Sequence, residues 1–230
     1  MYIFEYNPPI ELHDKLNPVL WNDEEIRRQI QVKLLQIAKE FYHFLSVSAP
    51  IEDVLITGSQ SNYNYTNWSD IDLHIVLDYD NISCEGEAKN LLDAKRKLWK
   101  REHDIKLKGI PVECYAEDLN QPAVTASYSL IHNKWVKRPG TPIKNYDVEG
   151  VKELYGMWKT VIKDAIKFRE AGLLKRVKEL LATFRRKSLA KDGEFGNGNL
   201  AFKALRNSGW IERLMKAVDD LEDQELSLKD

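Results

Sequence analysis

The sequence predicts an α+β protein: an N-terminal mixed β-sheet flanked by helices over residues 1–142, followed by a helical domain over residues 143–230. Three patterns lead there. Segments 54–57, 70–77 and 110–115 alternate or run apolar at the period of strands, residues 24–46 and 86–102 repeat apolar side chains at the period of helices, and past residue 142 only the helical period remains.

In chain order, Ile26, Ile30, Leu34, Ile37, Phe41 and Phe44 define an amphipathic helix over 24–46. Asn22 or Asp23 is available as its N-cap, and Ser46-Val-Ser-Ala-Pro50 ends it. Val54-Leu-Ile-Thr reads as a short apolar strand stopped by Gly58-Ser59, and a Tyr/Asn-rich loop follows to Ser69. From Asp70 to Leu77 the alternation is clean: Ile71, Leu73, Ile75 and Leu77 share one face, while Asp70, Asp72 and His74 share the other. Leu91, Leu92, Lys95, Leu98 and Trp99 line the helix over 86–102. Ile110, Val112 and Cys114 then alternate with Glu113 and Tyr115, and Pro111 marks a strand beginning or an edge position. Ser129 to Val136 reads as one further strand, closed by the Pro- and Gly-punctuated segment 137–142, where the domain boundary is expected.

The remainder reads as three helices. Leu154, Trp158, Val161, Ile162 and Ala165 line the first; Leu173, Val177, Leu180, Leu181 and Phe184 the second; Leu200, Ala204, Ile211 and Met215 the third, with Gly209 as its weak point. Residues 192–199 form a Gly/Asn-rich loop, and the acidic tail from Asp219 is expected to fray.

With 43% hydrophobic and 30% charged residues the chain is globular in composition, which excludes collagen-like, coiled-coil and disordered classes. No apolar run approaches the roughly 20 residues of a membrane span, and the N-terminus lacks the basic and apolar regions of a signal peptide, so a cytoplasmic location is expected. Cys84 and Cys114 supply neither a disulfide framework nor a zinc quartet and are read as structural. The sequons at Asn64, Asn67 and Asn81 are then chance matches. Charge is segregated: residues 158–216 carry 15 Lys or Arg against 6 Asp or Glu, an excess of nine positive charges, whereas the whole chain is −2. Such a basic segment can attract triphosphates or nucleic acid, although amphipathic helices with solvated Lys-rich faces give the same count.

The constellation that carries chemistry is Leu55-Ile-Thr-Gly58-Ser59, ten residues, then Asp70-Ile-Asp72-Leu. A Gly-Ser pair closing a strand offers backbone amides and a hydroxyl to phosphate oxygens. Two carboxylates at i and i+2 of a strand point the same way and can share a hard cation, and Glu113, in the next alternating segment, is the candidate third acid. Three such acids can cage two Mg²⁺ about 3.5–4 Å apart, the arrangement that supports in-line displacement at phosphorus.

At these residues the chain resembles the polymerase-β-type nucleotidyltransferase superfamily, whose signature is Gly-Ser, a spacer of about this length, then Asp-x-Asp between apolar residues. The similarity covers residues 54–77 and extends more loosely to Glu113; among members, the chain resembles the small nucleotidyltransferase-like proteins of tailed bacteriophages, with Gly193-Glu-Phe and Asn199-Leu-Ala-Phe-Lys-Ala-Leu-Arg contributing. A phage-encoded protein would act in the host cytoplasm. The resemblance implies a mixed sheet with its site at one end. Asp70, Asp72 and Glu113 would be catalytic residues and ligands of two Mg²⁺, with Mn²⁺ as a substitute; Glu113 would also be a general base, and Gly58 and Ser59 would hold the triphosphate. Two departures stand out: Tyr63 lies where many members have a second glycine, and the third acid is often Asp rather than Glu.

Secondary candidates surround this core. Lys187 and Lys203 are read as nucleotide contacts because they flank the 192–199 loop, and Arg185, Arg186 and Arg206 could neutralise phosphate. Tyr63, Tyr65 and Trp68 could stack a base or pack on the sheet. His74 reads as a strand histidine with a satisfied partner, and Glu117 and Asp118 as the start of a loop. In Lys95-Arg-Lys-Leu-Trp-Lys-Arg101, Trp99 is expected in the core and the basic residues on a solvated face. The expected activity is Mg²⁺-dependent transfer of a nucleoside monophosphate from an NTP to a hydroxyl, an RNA 3′ end being favoured by the basic segment, with release of pyrophosphate. The competing expectation is an inactive nucleotidyltransferase fold that binds nucleotide or RNA. Neither expectation involves a membrane.

Overall fold

A computed structural model describes residues 10–82, 87–121, 125–143 and 145–227, so Cys84 lies outside the described residues. The chain is a mixed α and β protein that divides into two compact units, one within Leu12–Lys144 and one within Asn145–Asp230 that also takes Ile10 and Glu11.

The first unit opens with a two-residue hairpin, β1 (Trp21–Asn22) and β2 (Glu25–Ile26), where an N-cap had been expected. Asp23 turns the chain in the left-handed region (φ 53°), Trp21 pairs with Ile26, and both bury their side chains. Helix α1 (Arg28–Leu45) therefore starts four residues later than its apolar period suggests, and ends at Ser46 in the αL conformation. Strand β3 (Ile51–Thr57), a one-turn 3₁₀ helix (Gly58–Ser61), strand β4 (Ile71–Leu77) and helix α2 (Ala88–Glu102) follow. Next come β5 (Lys106–Leu107), β6 (Ile110–Asp118), β7 (Ser127–Ser129) and β8 (Lys134–Lys137).

Two expectations need correction. Residues 129–136 are not one strand: Asn133 takes φ 51° and folds β7 against β8 as an antiparallel hairpin. Strand β6 also runs three residues past Tyr115, so Glu117 and Asp118 belong to the sheet and not to a loop.

The six strands align in the order β5-β6-β4-β3-β7-β8. Pairing is antiparallel except between β4 and β6, which run parallel because α2 intervenes as the crossover. Strict alternation divides the sheet: Val54, Ile56, Ile71, Leu73, Ile75, Val112 and Cys114 join Ile30, Leu34, Phe41 and Trp99 in one apolar core. The opposite face carries Thr57, Asp72, His74, Glu113, Tyr115 and Glu117, brought together by register.

Among the described residues the second unit has four helices, not three: α3 (Val148–Phe168), α4 (Ala171–Asp192), α5 (Asn197–Asn207) and α6 (Trp210–Leu226). Gly209, at φ 76°, breaks the expected last helix in two, a conformation an L-residue rarely adopts. The acidic tail extends α6 to Leu226, held through Leu214 and Val218 in the core. Helix α5 buries Leu200, Ala201, Ala204 and Leu205 against residues of the other three helices. Among the described residues no helix is long and apolar enough to cross a membrane.

Asp147 caps α3: its carboxylate accepts from the Gly150 amide at 2.9 Å and from Asn197 Nδ2 at 2.7 Å, tying α3 to the start of α5. The amide, then Asn197, holds its pKa below the ordinary 3.8. A depressed carboxylate pKa stabilises the fold above the unfolded-state value, and that stabilisation is lost as pH falls through the lower folded value. Asp147→Ala should therefore melt at a lower temperature than the parent at pH 7, and the two should converge in strong acid, as followed by circular dichroism.

Candidate active site

Strand β3 ends at Thr57, which pairs with Asp72 across β4, and Asp72 in turn pairs with Glu113 on β6. Three neighbouring strands thus set Thr57, Asp72 and Glu113 in one row on the polar face. Directly after Thr57 the chain leaves the sheet at Gly58 with φ 72°, and a Cβ built on Gly58 would overlap Asp72 Oδ2. Only glycine lets the backbone turn here and approach the carboxylate this closely.

The loop that returns to β4 is packed through polar side chains. Ser59 donates to Ser69 Oγ at 3.0 Å, the Thr66 amide donates to the same oxygen at 2.9 Å, and Gln60 Nε2 donates to the Ser69 carbonyl at 3.1 Å. Ser61 returns a hydrogen bond to the Ile56 carbonyl, while Asn17 and Trp21 donate to Gln60. Buried polar groups are tolerated because they are paired. The Ser59 hydroxyl, expected to meet phosphate, donates a hydrogen bond to Ser69 within the loop. Tyr65 stacks on His13 with ring centroids 3.8 Å apart, Tyr63 packs on the core, and Trp68 is exposed.

Glu113 is half-buried and doubly engaged: the Lys100 ammonium donates to Oε1, and the Tyr115 hydroxyl donates to Oε2 at 2.7 Å. Burial pushes its pKa up, but the hydrogen bonds from Lys100 and Tyr115 and the charges of Lys100 and Arg96 outweigh it, leaving the carboxyl below its usual range. The Tyr115 phenol is raised, first by burial, then by Asp72, Glu113 and Asp70. All three expected acids therefore bear on one hydroxyl. Cys114, on the opposite face, is an inert buried thiol pushed up to about 12 by burial.

Further along the same face His74 Nδ1 lies 2.6 Å from Glu117 Oε2. A carboxylate only accepts, so Nδ1–H is the donor in this pair. The imidazole stacks on Tyr115 at 4.7 Å. Thr57, His74, Tyr79, Tyr115, Glu117 and Ser127 help line a cavity of about 310 Å³ that begins one register step from Asp72.

The oxygen donors of Asp70, Asp72 and Glu113 suit a hard divalent cation in chemistry. Among the described residues, however, no three His, Cys, Asp or Glu side chains stand together as a ready metal site. Glu113 would have to exchange the Lys100 ammonium for the ion. Lys187 and Lys203 belong to the helical unit: Lys187 is exposed on α4, whereas Lys203 is only 7% exposed on α5 with Nζ 3.8 Å from Glu194.

Sequence reasoning did not assign Arg96, Lys100 or Tyr115 to the site. Arg96 and Lys100 are one helical turn apart, a spacing that does place both on one side of α2, but the neighbouring basic residues obscured which side that was. Comparison with protein-family models, with curated proteins and with solved structures finds no match for this chain.

Because the overlap at Gly58 involves a carboxylate anchored on a central strand, Gly58→Ala should destabilise the fold by about 1–3 kcal/mol in urea unfolding. Gly140→Ala, where an added Cβ meets nothing, serves as the control and should leave the midpoint unchanged.

Proposed function

We propose that the protein is a nucleotidyltransferase, moving a nucleoside monophosphate from an NTP to an acceptor hydroxyl. The observation that carries the reading is the fit of Gly58 against Asp72, with Glu113 in register beside Asp72. A glycine at a strand end leaves backbone amides open to phosphate oxygens, and the adjoining carboxylates suit hard cations. Asp70, Asp72 and, once released from Lys100, Glu113 would hold Mg²⁺, which when bound polarises the phosphoryl oxygens and offsets the charge of the leaving group. In the reaction the acceptor oxygen bonds to the α-phosphorus, the bond from that phosphorus to the bridging oxygen breaks, and pyrophosphate leaves with the electron pair. The acceptor proton passes to solvent. Before the exchange, hydrogen bonds from Lys100 and Tyr115 already hold the Glu113 carboxyl below its usual range, so it would meet the ion as a carboxylate and serve better as a fixed charge than as a base.

A second reading has its own support. The Ser59 hydroxyl is engaged by Ser69, and Glu113 by Lys100 and Tyr115, as in a fold that binds nucleotide without turning it over. The excess positive charge of residues 158–216 makes RNA the first acceptor or ligand to examine under either reading.

Incubation of the full chain with each α-labelled NTP, Mg²⁺ and total RNA should transfer label in the parent protein. Asp72→Ala should lower transfer by at least about a hundredfold, since even outer partners of metal ligands are worth about 10–100-fold. Full activity in Asp72→Ala would overturn the mechanism. NTP binding without transfer or pyrophosphate release would favour the binding reading.

A further inference from the structure

The basic run on α2 is not a uniformly solvated face. Lys95 donates to the Leu45 carbonyl, Trp99 is in the core, Lys97 and Arg101 are exposed, and Lys100 holds Glu113. That leaves Arg96. Its guanidinium lies over the Tyr115 ring, 4.8 Å from the centroid, and Nε is buried with no hydrogen-bond partner. Tyr115 donates to Glu113, the register partner of Asp72, so Arg96 stands one ring away from that carboxylate. With Lys100, Trp99, His103, Glu113 and Cys114 it lines a cavity of about 150 Å³ beside β6. Strand β5 pairs only with the first two residues of β6, so past Pro111 that edge has no strand neighbour among the described residues.

A partly buried guanidinium with an unmade hydrogen bond is costly, by about 1–3 kcal/mol for the missing partner alone. A guanidinium held over a phenol ring keeps its fork of N–H donors, the chemistry that meets phosphate in a bidentate pair. Glu113 does not satisfy Nε: its two oxygens accept from Lys100 and Tyr115.

We infer that Arg96 is a polyphosphate-binding residue, clamping the phosphate groups of a nucleoside triphosphate or of inorganic polyphosphate beside Asp72 and Glu113. The assignment deepens the nucleotidyltransferase reading and rests on it for the position of the phosphates. Its ligand chemistry can be measured without any turnover.

The test is calorimetric titration of the full chain with inorganic tripolyphosphate, ATP and AMP, each with Mg²⁺. Arg96→Ala should weaken tripolyphosphate and ATP binding by at least about tenfold, the loss expected for one charge-assisted pair. AMP, which lacks the polyphosphate, should change far less. Lys97→Ala, on the exposed side of α2, should bind as the parent does. Thermal melting checks folding; if Arg96→Ala does not fold, Arg96→Gln retains the stem against Tyr115, removes the charge and carries the test. Tripolyphosphate binding that is absent in the parent, or unchanged in a folded Arg96 variant, overturns the inference. Arg96-dependent tripolyphosphate binding in a parent that transfers no nucleotide would sink the transfer reading and leave this inference standing. Nucleotide transfer with an Arg96-independent affinity for ATP would do the reverse.

Discussion

The close approach of the Gly58 backbone to the Asp72 carboxylate sets the terms for the N-terminal unit. Strand β3 can pair with β4 to its last residue only if the chain then turns away at a positive φ and leaves no side chain in the path of Asp72. That requirement places a tight turn, a strand end and a carboxylate at one point. The loop behind it, from Ser59 to Ser69, is short and polar, and closes on itself through the Ser69 hydroxyl and carbonyl. With the Ser59 hydroxyl engaged by Ser69, the turn at Gly58 offers backbone before hydroxyl chemistry.

Alternation along the strands does the rest of the sorting. Each β4 residue that enters the core is followed by one that faces the site, and parallel pairing with β6 repeats the pattern one strand over. Asp72 thereby meets Glu113, and His74 stacks on Tyr115, with no loop needed to bring them together. Four ionisable or aromatic groups on one strip of sheet would repel or stay unsatisfied if alone. Lys100, Tyr115 and Glu117 settle them by pairing: Lys100 and Tyr115 on Glu113, Glu117 on His74. Arg96 is the member of this strip whose Nε stays unpaired.

The helical unit follows a different logic. Helix α5 meets residues of all three other helices, so even its Lys203 is drawn inward and balanced by Glu194. The net positive charge of the segment is carried instead by exposed positions on α4 such as Arg185, Arg186 and Lys187. A basic count in the sequence therefore does not say which cations are available to a ligand, because burial of the helix decides it.

Periodicity made the strands within 51–57, 71–77 and 110–118, the helices on either side of them, the buried Trp99 and the shared face of Asp72 and His74 readable from the amino-acid order, since alternation and helical repeat are local properties. The Gly-Ser pair ahead of Asp-x-Asp was readable for the same reason. Turns set by a single residue in the left-handed region were harder: Asp23 and Asn133 made hairpins where a cap and a strand were expected, and Gly209 completed a break that the sequence marked only as a weak point. Pairings between distant residues were beyond local reading altogether. Lys100 with Glu113, Glu117 with His74, Arg96 over Tyr115 and Ser59 with Ser69 each depend on strand register or on which side of a helix meets the sheet, and those are consequences of how the whole unit packs.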